Sequence, residues 1–172
     1  MISQNPNDFR IGHGYDIHRL QLNGKLFLAG VEVADGISPL AHSDGDVVLH
    51  ALVDALLGAV GLGDIGEMFP NTDPRWKNAA SRIFVDGAMQ RVVSLGFAPV
   101  NVDVTILAER PRLKAYKSKM VESLSEMLRC PVNLKAGTNE GCDAVGRGEA
   151  IAAHAVVLLA RKSEGTTDRT KP

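Results

Sequence analysis

Between residues 99 and 109 apolar and polar side chains alternate: Val100, Val102, Val104 and Ile106 fall on one side, Asn101, Asp103 and Thr105 on the other. A period of two is that of a strand with one face buried. The same period opens the chain, where Tyr15 and Ile17 alternate with Asp16 and His18, and it predicts a strand over 10–20. A second strand is predicted over 25–33, with Asn23-Gly24 as the turn between the two. The pattern then changes. Residues 46–61, DVVLHALVDALLGAVG, are apolar nearly all round and fit a helix, and Ser43 and Asp46 are spaced as a capping box. A glycine-rich stretch over 61–78 reads as a long loop. Helices are predicted over 78–95, closing at Gly96, and over 112–129; strands follow at 131–136 and 149–161. This order predicts an α+β fold, a mixed β-sheet with helices packed on one face, in a single domain over 10–162. Residues 1–9 and 163–172 are polar and read as flexible termini.

Composition removes several function classes. Nineteen basic residues against 20 acidic ones give a net charge of −1, which leaves no surplus for a run of nucleic-acid phosphates or a polybasic membrane patch. Aromatics at 5% supply few rings for base stacking. Cys130 and Cys142 make neither a disulfide framework nor a zinc-ribbon pair. No secretory leader or bilayer-length apolar run is visible, so a cytoplasmic protein is expected, with a plastid location left open by removal of a transit peptide.

Chemistry concentrates in a few strings. Asp16 and His18, two apart on a strand, project from one face and can converge on one point. On the apolar helix Asp46, His50 and Asp54 recur every four residues, a single polar line. That line fits a narrow solvent edge. It also fits a metal-binding His50 whose other ring nitrogen is held by Asp46 or Asp54. Asp16, His18 and His50 together would offer two nitrogens and an oxygen, the three-ligand pattern of an open zinc site. His42-Ser43 at the helix start can donate to an anion. Further on, Thr138 can donate to a phosphate, Glu140 is a hard oxygen ligand, and Arg147 offers a planar fork, although a polar turn with an Arg147–Glu149 pair accounts for the same residues.

The strings GHGYDIHRL, LAHSDGDVVLHALVDALLGAVGLGDIGEMFPNTDP, NVDVTILAERP and GRGEAIAAHAVVLL, in this order over about 10–161, resemble the 2-C-methyl-D-erythritol 2,4-cyclodiphosphate synthase family. The resemblance implies a homotrimer built around the sheets, with active sites between neighbouring subunits. It implies a lyase of isoprenoid and terpenoid precursor biosynthesis that acts on a CDP-linked methylerythritol 2-phosphate. The 2-phosphate attacks the β-phosphorus, CMP leaves, and a cyclic diphosphate forms. Zinc would fall on Asp16, His18 and His50, and a second ion, Mg²⁺ or Mn²⁺, on Glu140. His42 and Ser43 correspond to phosphate contacts, and His42 and Thr138 to transition-state stabilisers. Asp64, Ile65, Gly66, Phe69, Pro70, Asn71, Thr72 and Asp73 correspond to contacts with the methylerythritol end. The cytidine pocket maps to Ala108, Glu109, Arg110, Pro111, Arg112, Leu113 and Lys114. Gly137, Asn139, Ala144 and Arg147 complete the expected substrate-facing set. Gly137 replaces a threonine usual in the family, Asn71 an acidic residue, and Ala144 an aromatic near a trimer channel associated with isoprenoid diphosphates. Two other readings use the same residues: a zinc phosphohydrolase with water as nucleophile, and a non-catalytic, metal-stabilised module that binds neighbouring pathway enzymes.

Overall fold

The structure, a computed structural model, describes residues 9–162. Of the expected flexible termini, 1–8 and 163–172 lie outside the described residues, while Phe9 begins a strand. The elements are β1 (Phe9–Leu28), β2 (Val31–Pro39), α1 (Val47–Ala59), α2 (Ile65–Met68), α3 (Arg82–Ser94), β3 (Phe97–Leu107), α4 (Lys117–Leu128), β4 (Val132–Gly137), α5 (Asp143–Gly146) and β5 (Ala150–Arg161). The strands form one sheet in the order β2-β1-β5-β3-β4. Neighbours run antiparallel except β3 and β4, so the sheet is mixed, as the pattern predicts.

The hairpin turns later than expected, so the strand predicted over 25–33 is split between the end of β1 and the start of β2. Leu28 pairs with Val31, and the turn is Ala29-Gly30, with φ of 55° and 76°. Asn23-Gly24, also left-handed, instead sits inside β1 where the register slips between Leu22 and Lys25. An Asn-Gly pair suits a bulge as well as a turn. What fixes the turn downstream is Asp46: its carboxylate accepts the Ala29 and Gly30 amides at 2.9 and 2.7 Å. Asp46 is also the N-cap of α1, accepting from Val48 and Leu49 at 3.1 and 3.2 Å. The expected Ser43–Asp46 capping box is therefore absent; the Ser43 hydroxyl accepts from Gly45 at 3.1 Å instead.

Every residue of α1 except Asp54 and Gly58 is buried, because the helix is sandwiched between the sheet and α3. It meets β1 backbone to backbone. A Cβ at Gly12 would lie 1.8 Å from the Ala55 carbonyl oxygen, and one at Gly14 would lie 1.9 Å from that of Ala51. Val102, Val104, Ile106, Leu134, Ala153, Ala155 and Val157 complete the apolar layer beneath the helices. On the opposite face Ile11 (73%), Tyr15 (45%), Ile17 (43%) and Val156 (42%) stay exposed. These four lack a cover in the single chain, whereas Ala152, opposite Ile17 on the same face, is packed under Val145 of α5.

Other boundaries moved for local reasons. The helix expected from 78 starts at Arg82, since Asn78 takes a left-handed φ of 58°. The helix expected from 112 is preceded by a separate 3₁₀ turn, Leu113–Ala115. The long loop holds α2 and a 3₁₀ turn at Pro74–Trp76. Together with α5, these are single turns too short to show a helical period. No described helix is long and apolar enough to cross a membrane.

Candidate active site

Asp16 and His18 occupy alternate positions of β1 on the helix-facing side, and His50 comes down from the first turns of α1. The Gly14–Ala51 contact sets the distance between the two elements. His50 Nδ1 lies 2.9 Å from Asp16 Oδ2 and 3.1 Å from His18 Nε2, and His18 Nε2 lies 3.1 Å from the same Asp16 oxygen. Among the described residues this is the group of three whose donor atoms converge as metal ligands do. A tetrahedral ion with donors at about 2.0–2.1 Å has edges of about 3.3 Å, so the donor set and the size of the triangle both fit such an ion. Burial acts to raise the Asp16 carboxyl, but hydrogen bonds and charge from His18 and His50 hold it well below the usual carboxylate range.

The remaining nitrogen of His50 is held by a partner that the sequence did not suggest. Nε2 lies 2.9 Å from the buried Ser81 hydroxyl and 3.2 Å from that of Ser43. Ser81 in turn donates its hydroxyl to Asp44 Oδ1 and its amide to Asp44 Oδ2 at 2.9 Å. With the ring proton on Nε2, the chain His50–Ser81–Asp44 leaves Nδ1 free to face the cluster. Neither Asp46 nor Asp54 does this, contrary to the expectation. Asp46 is wholly buried at the helix start, where burial pushes its carboxyl up to about 6 and the backbone amides limit the rise. Asp54 accepts the Ile65 amide at 2.8 Å and so ties α2 to α1; burial raises its carboxyl, helped by Asp64 and Asp16.

The cluster opens into a cavity of about 440 Å³ that His42, Ser43, Ile65, Gly66, Phe69, Pro70 and Asn71 also line. Sequence reasoning missed Leu40, Ala41, Trp76 and Phe84 in its wall. Phe69, Trp76 and Phe84 pack together, edge to face at Trp76, with centroid distances of 4.9–5.8 Å, and make one wall apolar. Three expected residues stand back from this cavity. Asp64 caps α2 through the Glu67 amide, and the Asp73 carboxylate is gripped by Arg75, with contacts of 2.6–3.1 Å. Thr72 does not line it either.

A second cavity of about 510 Å³ gathers Ala108, Glu109, Pro111, Arg112, Leu113, Lys114, Gly137 and Thr138 at the ends of β3 and β4, together with the unforeseen Lys117, Leu134 and Ala136. Arg110 is outside its wall. Asn139 is beside it through its amide, which donates to Glu109 at 3.2 Å. Glu140 accepts the Thr138 hydroxyl at 2.8 Å and faces solvent. Ala144 packs in a small separate apolar cluster with Val145 and Ala150, and Arg147 forks onto Glu149 at 2.9 and 3.1 Å. No nucleophilic thiolate is available near either cavity from Cys130, whose buried thiol is pushed up to about 11.

The two cavities are separate. Asp16 pairs with Ala153, Ala153 with Ile106, and Ile106 with Ala136 of the second cavity wall. Three strand spacings put about 14 Å between the Asp16 and Ala136 backbones.

Comparison with known proteins adds the family. A 2-C-methyl-D-erythritol 2,4-cyclodiphosphate synthase from Methylococcus capsulatus is 53% identical over 157 residues, covering 90% of this chain and 99% of that one. Among solved structures, the bifunctional IspDF from Campylobacter jejuni superposes with a TM-score of 0.86 at 40% identity over 89% of this chain, which spans 42% of that longer one. IspF from Plasmodium falciparum in complex with CDP gives 0.80 at 32% identity, over 92% of this chain and 100% of that one. The YgbB family profile matches residues 9–160, and with these identities the chain belongs to the YgbB family.

Proposed function

We infer that this chain converts 4-diphosphocytidyl-2-C-methyl-D-erythritol 2-phosphate to 2-C-methyl-D-erythritol 2,4-cyclodiphosphate and CMP, a lyase step of isoprenoid precursor biosynthesis. The observation that carries this is the convergent Asp16–His18–His50 cluster at the mouth of a cavity, in a chain whose relatives are named for that product. The cluster would hold Zn²⁺, and Glu140 a Mg²⁺ or Mn²⁺ ion. Bound there, the two dications supply charge neutralisation for a diphosphate.

The chain's own groups provide the rest by position. His42 and Ser43 stand beside the cluster and can donate to phosphate oxygens. The wall from Ile65 to Asn71 suits a small branched polyol, apolar on the Phe69 side with a hydrogen-bonding amide at Asn71. Lys114, Arg112 and the backbone around Ala108 suit a nucleotide, and Thr138 can donate to its phosphates. A phosphate nucleophile is already anionic, so no general base is required; folding the substrate onto itself is the main task.

A site split across about 14 Å of sheet is completed most simply by pairing the first cavity of one chain with the second of a neighbour. The uncovered apolar face of the sheet supplies the surface for this, and a homotrimer is the assembly proposed. The test is phosphorus NMR of the products. A cyclic diphosphate with stoichiometric CMP, lost in His50→Ala together with bound zinc, is expected. Free phosphate would instead establish a phosphohydrolase, and metal-replete protein that releases no CMP would establish a non-catalytic module.

A further inference from the structure

β1 carries histidines on both faces. His18 points to the helices; His13, of opposite parity, emerges on the uncovered face beside Tyr15 and Ile17. There His13 Nε2 lies 3.2 Å from Nδ1 of His154 on β5. His13 stands opposite Val156 and Tyr15 opposite His154, so the two imidazoles are diagonal neighbours across an antiparallel pair. Their ring centroids are 5.4 Å apart, and the Tyr15 ring packs 4.7 Å from that of His154. Behind them Gly12 and Gly14, which flank His13, abut α1 and leave the strand no room to shift.

We propose that His13 and His154 form a second, all-imidazole chelating site for a late first-row transition metal ion, independent of the Asp16–His18–His50 cluster. The nitrogen separation is close to the edge of about 3.3 Å expected when a tetrahedral ion binds imidazoles at about 2.0–2.1 Å. His154 stands on β5 between β1 and β3, and His13 on the half of β1 that pairs with β5 and is backed by α1, so little ordering is needed on binding. Among the described residues, the carboxylate of this face near the pair is already taken up. Asp103, opposite Val156 on β3, is engaged by Lys135 and Asn133, and Thr105 stands opposite His154. An imidazole pair without oxygen ligands selects Zn²⁺, Cu²⁺ or Ni²⁺ over Mg²⁺, Ca²⁺ and Mn²⁺. Ile11 and Val156 stand beside it and, like His13, are exposed in the single chain, so an ion can enter from solvent. The remaining coordination positions fall to water or to the same pair of a neighbouring copy.

Zinc content decides this. Full-length protein is stripped with chelator, equilibrated with micromolar free Zn²⁺ at about pH 7.5, where ordinary imidazoles are neutral, and counted by mass spectrometry. His13→Gln and His154→Gln are expected to lose the same increment of zinc, and His50→Ala to lose the ion of the other site. In His50→Ala/His154→Gln the two losses should add. Imidazole ¹⁵N resonances of His13 and His154 should move when Zn²⁺ is added. Wild-type zinc content in both Gln variants with unmoved resonances would reduce the pair to a hydrogen bond and overturn the proposal.

Discussion

At the scale of single residues, the candidate centre rests on which nitrogen of His50 carries a proton. Ser81 is fully buried at the start of α3, and its hydroxyl bridges His50 and Asp44 rather than capping its own helix. Ser81→Ala should therefore weaken metal binding by about 10–100-fold while leaving the three ligands in place, as removal of an outer partner does elsewhere. Competition with a chromophoric chelator would measure it, and unchanged affinity would show that the ring needs no such support. The contrast with the ligands shows what a sequence can reveal. Asp16 and His18 were legible because a strand's period puts neighbours two apart on one face, and His50 because a lone histidine stands out on an apolar helix. Ser81 lies 31 residues from His50, and nothing in its local string distinguishes it from an ordinary surface serine. Asp46 was singled out for its spacing, but its role at the hairpin turn depends on contacts 16 and 17 residues away.

Among elements, the joint between β1 and α1 positions the centre, because the ligands are divided between them. Gly14 allows that joint: its absent side chain is filled by the Ala51 carbonyl. Gly14→Ala should push the helix off the strand, costing about 3 kcal/mol in urea unfolding, the upper range for overpacking, and lowering zinc content as His50 moves away. Loss of stability without loss of zinc would place the tolerance for movement elsewhere. Asp46 joins the same helix to the β1–β2 turn. Its carboxyl is 3.8 in the reference state and about 6 in the fold, so the folded chain holds the proton more tightly. The contribution of that proton to stability is full below pH 3.8 and gone above about pH 6. Asp46→Asn lacks this titration, so its stability relative to wild type should improve as pH rises across that window, as read by denaturant midpoints. The long helices and β3, β4 and β5 were legible here because each repeats its period several times, whereas the division between β1 and β2 was misplaced. The Ala29-Gly30 turn and the single-turn helices were not, since a turn set by a distant carboxylate leaves no local pattern.

For the whole molecule, the proposed reaction requires two cavities about three strands apart to act together. Within one chain β5 and β3 lie between them, and the sheet's order forbids closure without unfolding. In the proposed assembly a neighbouring copy would remove the difficulty and would also cover Ile11, Tyr15, Ile17 and Val156, an apolar face rarely left open to water. The pattern along the sequence could show that these positions alternate with buried ones, yet not that both sides of the strand carry apolar residues for different purposes. Complementation tests the shared site directly. His50→Ala removes a ligand from the first cavity, and Glu140→Ala removes the carboxylate beside the second; each is expected to be nearly inactive alone. If each site takes the cluster from one chain and Glu140 from the next, equal random mixing in a cyclic assembly leaves about one quarter of the sites intact, the product of two even chances. Co-expressed chains should then recover about a quarter of wild-type turnover, and mixing after separate assembly should recover none until subunits exchange. If every site were built within one chain, no mixture of these two variants could contain an intact one, and turnover would stay at the level of the single variants.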